Sequence, residues 1–306
     1  MRSKEIDILM ASWKTSTIKA YNSYIKKYIE FCETKNYNFL TRKVNRIIKF
    51  LTMLYENECS YSAINIARSA LSCIFHDPPI GEHFLISRLL KGIFNLRPSR
   101  PRYSKVWNVN KVLSFLEKWT PSRSLDLKQL TLKTLMLIML TSGQRCQTIH
   151  ALNLKQVEIS RNHIHFHIDK NLKHNKINNM ENTVIFNSFV ENKKICPVTY
   201  IKEYIKRTKK LRTQDQFFIS FKTFRAVNKE TLSSWIKLTL SLAGIDTSLY
   251  KAHSTRAAST SAAFLKTDIN TIMKAASWKN SQTFAKFYNK PIEEESFCNA
   301  VLKNKL

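Results

Sequence analysis

Two stretches decide the reading of this chain. The first is Lys251-Ala252-His253-Ser254-Thr255-Arg256-Ala257-Ala258, running on to Ser261; the second is Ala276-Ser277-Trp278-Lys279-Asn280-Ser281-Gln282-Thr283-Phe284-Ala285-Lys286-Phe287-Tyr288. His253 and Arg256 stand three apart, so on a helix they share one face near its start, where unpaired backbone N–H groups also attract an anion. Together they suit one phosphate. Upstream, Arg145 follows the turn Thr141-Ser142-Gly143 in apolar surroundings. If buried, that guanidinium requires a partner, which a phosphate supplies as well as an acidic side chain does. Each signal taken singly also fits an ordinary ion pair.

The composition narrows the partner. Fifty Lys and Arg against twenty-two Asp and Glu leave a formal charge of +28 on 306 residues. That bias points to a polyanion, with nucleic acid ahead of an acidic membrane surface. An apolar share of 43% and an aromatic share of 11% belong to a folded body rather than a basic tail. The four glycines, Gly81, Gly92, Gly143 and Gly244, are too far apart to build a phosphate-cradling loop, which argues against ATP- or NAD-driven chemistry. The six cysteines form no CxxC pair and the opening residues lack the apolar core of a secretory signal, so free thiols in a reducing compartment are expected. The most apolar run, Leu135 to Leu140, is far shorter than the roughly 20 residues of a bilayer span.

Hydrophobic periodicity predicts helices from Ile18 to Ile29, Val44 to Tyr55, Ser62 to Phe75 and Phe84 to Leu96, enough for a small bundle over residues 1–96. Arg97-Pro98-Ser99-Arg100-Pro101-Arg102 then stops any helix, and 97–107 reads as an extended basic linker able to follow a phosphate backbone. Over 108–306 the expectation is an α-rich second domain. It has helices at Val109 to Leu116, Leu127 to Leu140, Val198 to Leu211 and Thr231 to Ala243, and further ones near His253, Ile269 and Tyr288. Its small sheet comes from Gln156 to Ser160, His163 to Ile168 and Thr183 to Phe186. His163, His165 and His167 share one strand face, but with no carboxylate or cysteine pattern beside them no metal site is assigned. The charge run Lys206 to Arg212 reads as a solvated helix end.

The order of Arg145, a lysine on a strand-to-strand turn, His253-x-x-Arg256, Trp278 and Tyr288 resembles the tyrosine recombinases of phage-integrase type. The phrases Lys91 to Asn95, Arg97-Pro98 to Tyr103, Gly143-Gln144-Arg145, Lys251 to Ser261 and Thr283 to Pro291 look most like the recombinases of eukaryotic DIRS- and Ngaro-type retrotransposons and Cryptons. The resemblance spans about Ile18 to Pro291. It implies a mainly α protein, with an N-terminal SAM-like core-binding bundle and an α-rich catalytic domain carrying a small antiparallel sheet, the two clamping duplex DNA.

The same resemblance implies chemistry. Tyr288 would be the nucleophile, giving a 3′-phosphotyrosyl link that conserves bond energy, so neither ATP nor any metal or other cofactor is implied. Arg145 and Arg256 would meet the charge on the phosphorane, His253 would assist the tyrosine's proton, and Lys173 would protonate the leaving 5′-oxygen, with Lys170 and Lys176 as rivals. Trp278 stands where many members have histidine and can donate one N–H or simply support the core. Thr148 stands where many carry an acid, so Arg145 must be oriented by something else. Lys26, Lys27, Arg97, Arg100, Arg102, Lys170 and Lys176 are the expected DNA contacts, which position without specifying sequence.

Double-stranded DNA, a homotetramer on two paired sites, no membrane and a nuclear location follow as expectations. The tail beyond Pro291, with Phe297, Val301 and Leu302, could pack on a neighbour or on its own domain. Two rivals stay open: a catalytically inactive DNA-binding protein derived from a mobile element, and a type IB topoisomerase-like enzyme.

Overall fold

The computed structural model describes residues 3–98, 102–168, 182–278 and 280–292. The chain divides into two compact units, 1–101 and 102–306. The first is helical: α1 (Ser3–Ala11), α2 (Thr15–Glu33), α3 (Val44–Glu56), α4 (Tyr61–Ile74) and α5 (Phe84–Leu96). The predicted helices lie within about four residues of these bounds, and α1 has no counterpart among them. The core of this unit gathers Tyr28, Phe31, Ile47, Phe50, Leu51, Ile64, Leu71, Ile86 and Leu90 from α2 to α5. In contrast, Ile6, Ile8, Leu9 and Met10 of α1 are exposed, so α1 has no buried face to impose a helical repeat.

The second unit holds α6 (Val109–Glu117), α7 (Leu127–Ser142), α8 (Cys146–His150), β1 (Val157–Ile159), β2 (His163–Ile168), β3 (Asn182–Asn187), α9 (Pro197–Thr208), α10 (Lys229–Leu242), α11 (Ser254–Phe264), α12 (Ile269–Ala275) and α13 (Ser281–Phe287). The strands form one antiparallel sheet in the order β1-β2-β3, with Ile164 opposite Phe186 and His167 opposite Thr183. Alternation places Ile164, Phe166 and Ile168 in the core and the three histidines on the other face. This is the mainly α architecture with a small sheet that the sequence predicts. Val106 and Trp107, the last residues of the stretch read as a linker, are fully buried in the core of this unit.

α7 is the central element. Asp126 caps its start in a reciprocal box with Gln129, and nearly every residue from Leu130 onward is buried. Lys133 is among them. Its ammonium donates to the carbonyls of Leu116 and Trp119, each at 2.7 Å, and to the Tyr200 hydroxyl at 2.8 Å, tying α7 to the end of α6 and to α9. Burial pulls its pKa down to about 7, although Glu117 opposes the shift. α7 ends at Gly143, whose φ of 56° lies in the left-handed region, and a Cβ there would stand 3.1 Å from the Thr260 methyl. Only glycine meets both demands, and the reversal delivers Gln144 and Arg145 beside α11. No helix among the described residues is long and apolar enough to cross a membrane.

Candidate active site

Small residues explain how α11 enters the core. Ser254 to Ser261 are all buried, with no side chain larger than threonine except Arg256 itself. This lets α11 pack closely on α7 and α6. Ser254 accepts a 3.0 Å bond from the indole N–H of buried Trp107. The start of α11 corrects one expectation. The N–H groups of Ser254, Thr255 and Arg256 are taken by the carbonyls of Lys251, Ala252 and His253, so they do not form an open anion cradle.

Arg256 is 1% exposed. One terminal nitrogen, Nη2, donates to the Ala276 carbonyl at 2.7 Å, while its Nε and Nη1 have no protein acceptor among the described residues. The guanidinium lies 4.3 Å from the Trp278 ring and 5.4 Å from the Tyr288 ring. Burial first, and then the like charge of Arg145, pull its pKa down to about 9, with the Tyr288 hydroxyl opposing. Neither arginine pairs with a carboxylate among the described residues. Arg145 caps the start of α8 and is half-buried. Thr148, which stands where many family members carry an acid, is buried, and its N–H donates to Arg145 O at 2.9 Å.

Tyr288 follows directly on α13 and is 8% exposed. Its hydroxyl stands 3.2 Å from Nε2 of His253, with the two rings edge to face at 5.9 Å. Trp278 stacks on Tyr288 at 4.6 Å and on Phe284 at 5.4 Å. Its indole Nε1 is buried without an acceptor among the described residues. Trp278 therefore packs as a core aromatic, with its indole N–H not used in that packing.

The turn that presents Trp278 is set from a distance. After α12, the Ser277 N–H bonds Lys274 O and the Trp278 N–H bonds Met273 O, with Ser277 at φ 53°. Glycine usually occupies such a left-handed cap. Serine stands here because its side chain is used: Gln144 Nε2 donates to Ser277 Oγ at 2.8 Å and to Ala275 O at 2.7 Å. The residue before Arg145 thus holds the loop that carries Trp278, while Arg256 holds Ala276 between them.

Arg256, Trp278, Tyr288 and His253 are thus packed together in one unit, with the charge of Arg145 acting on Arg256. Residues 107–295 match the phage integrase family, and residues 5–78 match the phage integrase N-terminal SAM-like domain. The chain belongs to the phage integrase family, the tyrosine recombinases. Solved structures of similar fold include the XerH site-specific recombinase bound to a palindromic difH substrate in a post-cleavage complex. The TM-score there is 0.63 at 16% identity, covering 89% of this chain and 76% of that one. A lambda integrase dimer bound to a COC′ core site gives 0.57 at 12%, covering 94% and 75%. The Tn1549 transposon integrase with circular intermediate DNA gives 0.52 at 12%, covering 87% and 86%. At these identities the likeness is one of fold. No curated protein matches the sequence.

The other expected site residues of this integrase distribute unevenly. Lys170, Lys173 and Lys176, all in the connection between β2 and β3, lie outside the described residues, as do Arg100 and the tail with Phe297, Val301 and Leu302. Lys26 and Lys27 are exposed on α2, and Arg102 is exposed. Arg97 is turned inward instead: it donates to the carbonyls of Tyr55 and Cys59 and sits 4.0 Å from the Tyr55 ring, closing the end of α3. The run read as a solvated helix end also has inward members, since Arg212 bonds Gln216 O and Thr208 Oγ1. On the histidine face, His167 bonds Glu158 at 2.9 Å, a partner not read from the sequence. No group of three ligating side chains suited to a metal occurs among the described residues.

Proposed function

We propose that this integrase-family chain breaks and rejoins DNA strands as a recombinase of mobile-element type, with Tyr288 as its nucleophile. The observation that carries this reading is the set of buried donors with no acceptor among the described residues, Arg256 Nε and Nη1 and Trp278 Nε1, on two side chains packed against the tyrosine. A buried donor left unpaired costs about 1–3 kcal/mol, more when charged. A fold that keeps such donors on two side chains beside one tyrosine ring suits an acceptor that arrives, and a DNA phosphate has the charge and oxygens to fill them.

In the proposed reaction the Tyr288 oxygen attacks phosphorus and the bond to the 5′-oxygen breaks, leaving a 3′-phosphotyrosyl link and a free 5′-hydroxyl. His253 Nε2, in hydrogen-bond contact with the phenol, is placed to take its proton, a task made necessary by a phenol pKa near 10. Arg145, Arg256 and Trp278 meet the charge growing on the non-bridging oxygens. A lysine of the β2–β3 connection, with Lys173 the first choice over Lys170 and Lys176, gives the leaving oxygen its proton. The phosphotyrosine stores the energy of the cleaved bond, so rejoining needs no ATP, and the guanidiniums do the work a metal would otherwise do.

The finer placement rests on the resemblance of Lys91 to Asn95, Gly143 to Arg145 and Thr283 to Pro291 to DIRS-, Ngaro- and Crypton-type recombinases. It carries with it a nuclear location, a core-binding domain over 1–96 joined by 97–107, and a tetramer on two paired sites. A solved lambda integrase tetramer bound to a Holliday junction, similar at TM-score 0.57 and 12% identity, supports that assembly. The test is covalent trapping on a randomised pool of nicked duplexes, whose cut fragment diffuses away. A denaturant-stable adduct that vanishes in Tyr288→Phe is expected, with duplex binding retained. Strong duplex binding without an adduct from the unmodified protein would instead identify a DNA-binding relic.

A further inference from the structure

The nucleophile's own peptide is held by a side chain outside the reacting set. Ser261 is buried on α11, five residues beyond Arg256. Its hydroxyl donates to the Tyr288 carbonyl at 2.6 Å and accepts from the Lys290 N–H at 3.1 Å. One hydroxyl can fill both roles, having one proton and two lone pairs. Tyr288 needs such a partner. Its N–H closes the last turn of α13 on Phe284 O at 2.9 Å, but its carbonyl lies past the helix end and has no intrahelical donor.

Other ties hold the chain further on. Lys290 Nζ donates to Tyr103 O at 2.6 Å, and the Val106 N–H donates to Pro291 O at 2.8 Å. These anchor the segment beyond the tyrosine without touching the Tyr288 peptide. Ser261 alone among these contacts joins that peptide to the helix that also carries Arg256 and begins at His253. The spacing of phenol, guanidinium and imidazole is therefore set through one rigid element.

We infer that Ser261 is a positioning residue for the nucleophile, fixing the Tyr288 peptide to α11 so that the phenol stands over Arg256 and against His253. The inference rests on Tyr288 being the nucleophile. Near-attack geometry is demanding: a misplacement of about 1 Å costs on the order of 100-fold in rate. Ser261→Ala removes both bonds, and the phenol can then swing on its main chain while the guanidiniums stay in place.

The experiment measures single-turnover adduct formation on the captured nicked duplex with the full chain. Ser261→Ala should slow it about 10- to 100-fold with DNA binding unchanged, and Ser261→Thr, which keeps the hydroxyl, should recover most of the rate. The decisive comparison is made in a Tyr288→Ala background, with hydrogen peroxide supplied as an external nucleophile. There Ser261→Ala should have no effect, because a free nucleophile needs no tether. An equal loss in the peroxide reaction would reassign Ser261 to supporting Arg256, and an undiminished rate in the single variant would overturn the inference while leaving Tyr288 as nucleophile. Absence of an adduct from the unmodified protein would instead remove the nucleophile assignment and this inference with it. If Ser261→Ala does not fold, Ser261→Cys, which keeps the shape and weakens the donor, should give an intermediate rate.

Discussion

Replacing Arg256 by methionine should leave the protein as stable as before or more so, while abolishing cleavage. The guanidinium is 1% exposed, and its pKa falls from the ordinary arginine range to about 9 through burial and the neighbouring Arg145. At 1.36 kcal/mol per tenfold change in proton affinity, that fall corresponds to about 5 kcal/mol of unfavourable charge in the folded state. Both folded and unfolded forms are protonated at pH 7, so the whole cost is present there. It declines only as pH rises above about 9 towards the ordinary arginine range, where the unfolded chain holds the extra proton.

Against this, methionine forfeits the bond to Ala276 O, worth about 1.5–3 kcal/mol for a charged donor. It also loses the cation–π contact with Trp278, worth about 0.5–2 kcal/mol. The balance lies between about zero and 3 kcal/mol in favour of the variant. For a unit of this size each kcal/mol moves Tm by about 2–4 °C, so melting followed by circular dichroism should show no change or a rise of up to about 10 °C. An ordinary large-to-small change in the core lowers stability by about 2–5 kcal/mol. Added inorganic phosphate should raise Tm of the unmodified protein by mass action and do so much less in Arg256→Met. A fall in Tm of more than about 4 °C, or equal phosphate responses, would refute the account of Arg256 as an uncompensated cation awaiting an anion.

Lys133 gives a pH prediction of the same sign at lower pH. Its folded pKa of about 7 lies below the ordinary 10.5, so the unfolded chain binds more protons between those values and stability should rise with pH there. The slope reaches about 1.4 kcal/mol per pH unit; urea titrations at pH 7, 8 and 9 should show it in the unmodified protein and a flatter line in Lys133→Met. Trp278→Phe keeps the stack on Tyr288 and removes the Nε1 donor, so adduct formation should fall about 100-fold with Tm nearly unchanged. Full activity in that variant would reduce Trp278 to packing. Gln144→Ala strands Ala275 O and Ser277 Oγ and should cost about 1–3 kcal/mol in thermal or urea unfolding. Ser277→Gly should recover part of that loss in the Gln144→Ala background, because the left-handed cap then fits its residue.

Much of the architecture is legible in local pattern. The strict alternation from His163 to Ile168 specifies a strand with one buried face, and the helical spacing from Val44, Phe84 and Leu127 specifies helices whose observed ends differ by only a few residues. The signal fails where nothing is buried, as in α1, or where a basic residue turns inward, as in Arg97 and Arg212. The proposed site residues, Arg145, His253, Arg256, Trp278 and Tyr288, could be picked out because their order along the chain resembles that of a known family. Their supports could not. Gln144 meets Ala275 across 131 positions, Trp107 meets Ser254 across 147, and Lys133 meets Tyr200 across 67.

By itself, then, the sequence determined the helices, the small sheet and the basic balance of the chain, because each depends on composition or on neighbours within about four residues. Tertiary structure alone decided that Arg256 and Trp278 are buried with donors that meet no acceptor among the described residues, and that Ser261 grips the Tyr288 peptide. Those outcomes depend on which polar groups meet when distant helices close around a shared core, and a buried polar group's role is set by the partner that reaches it.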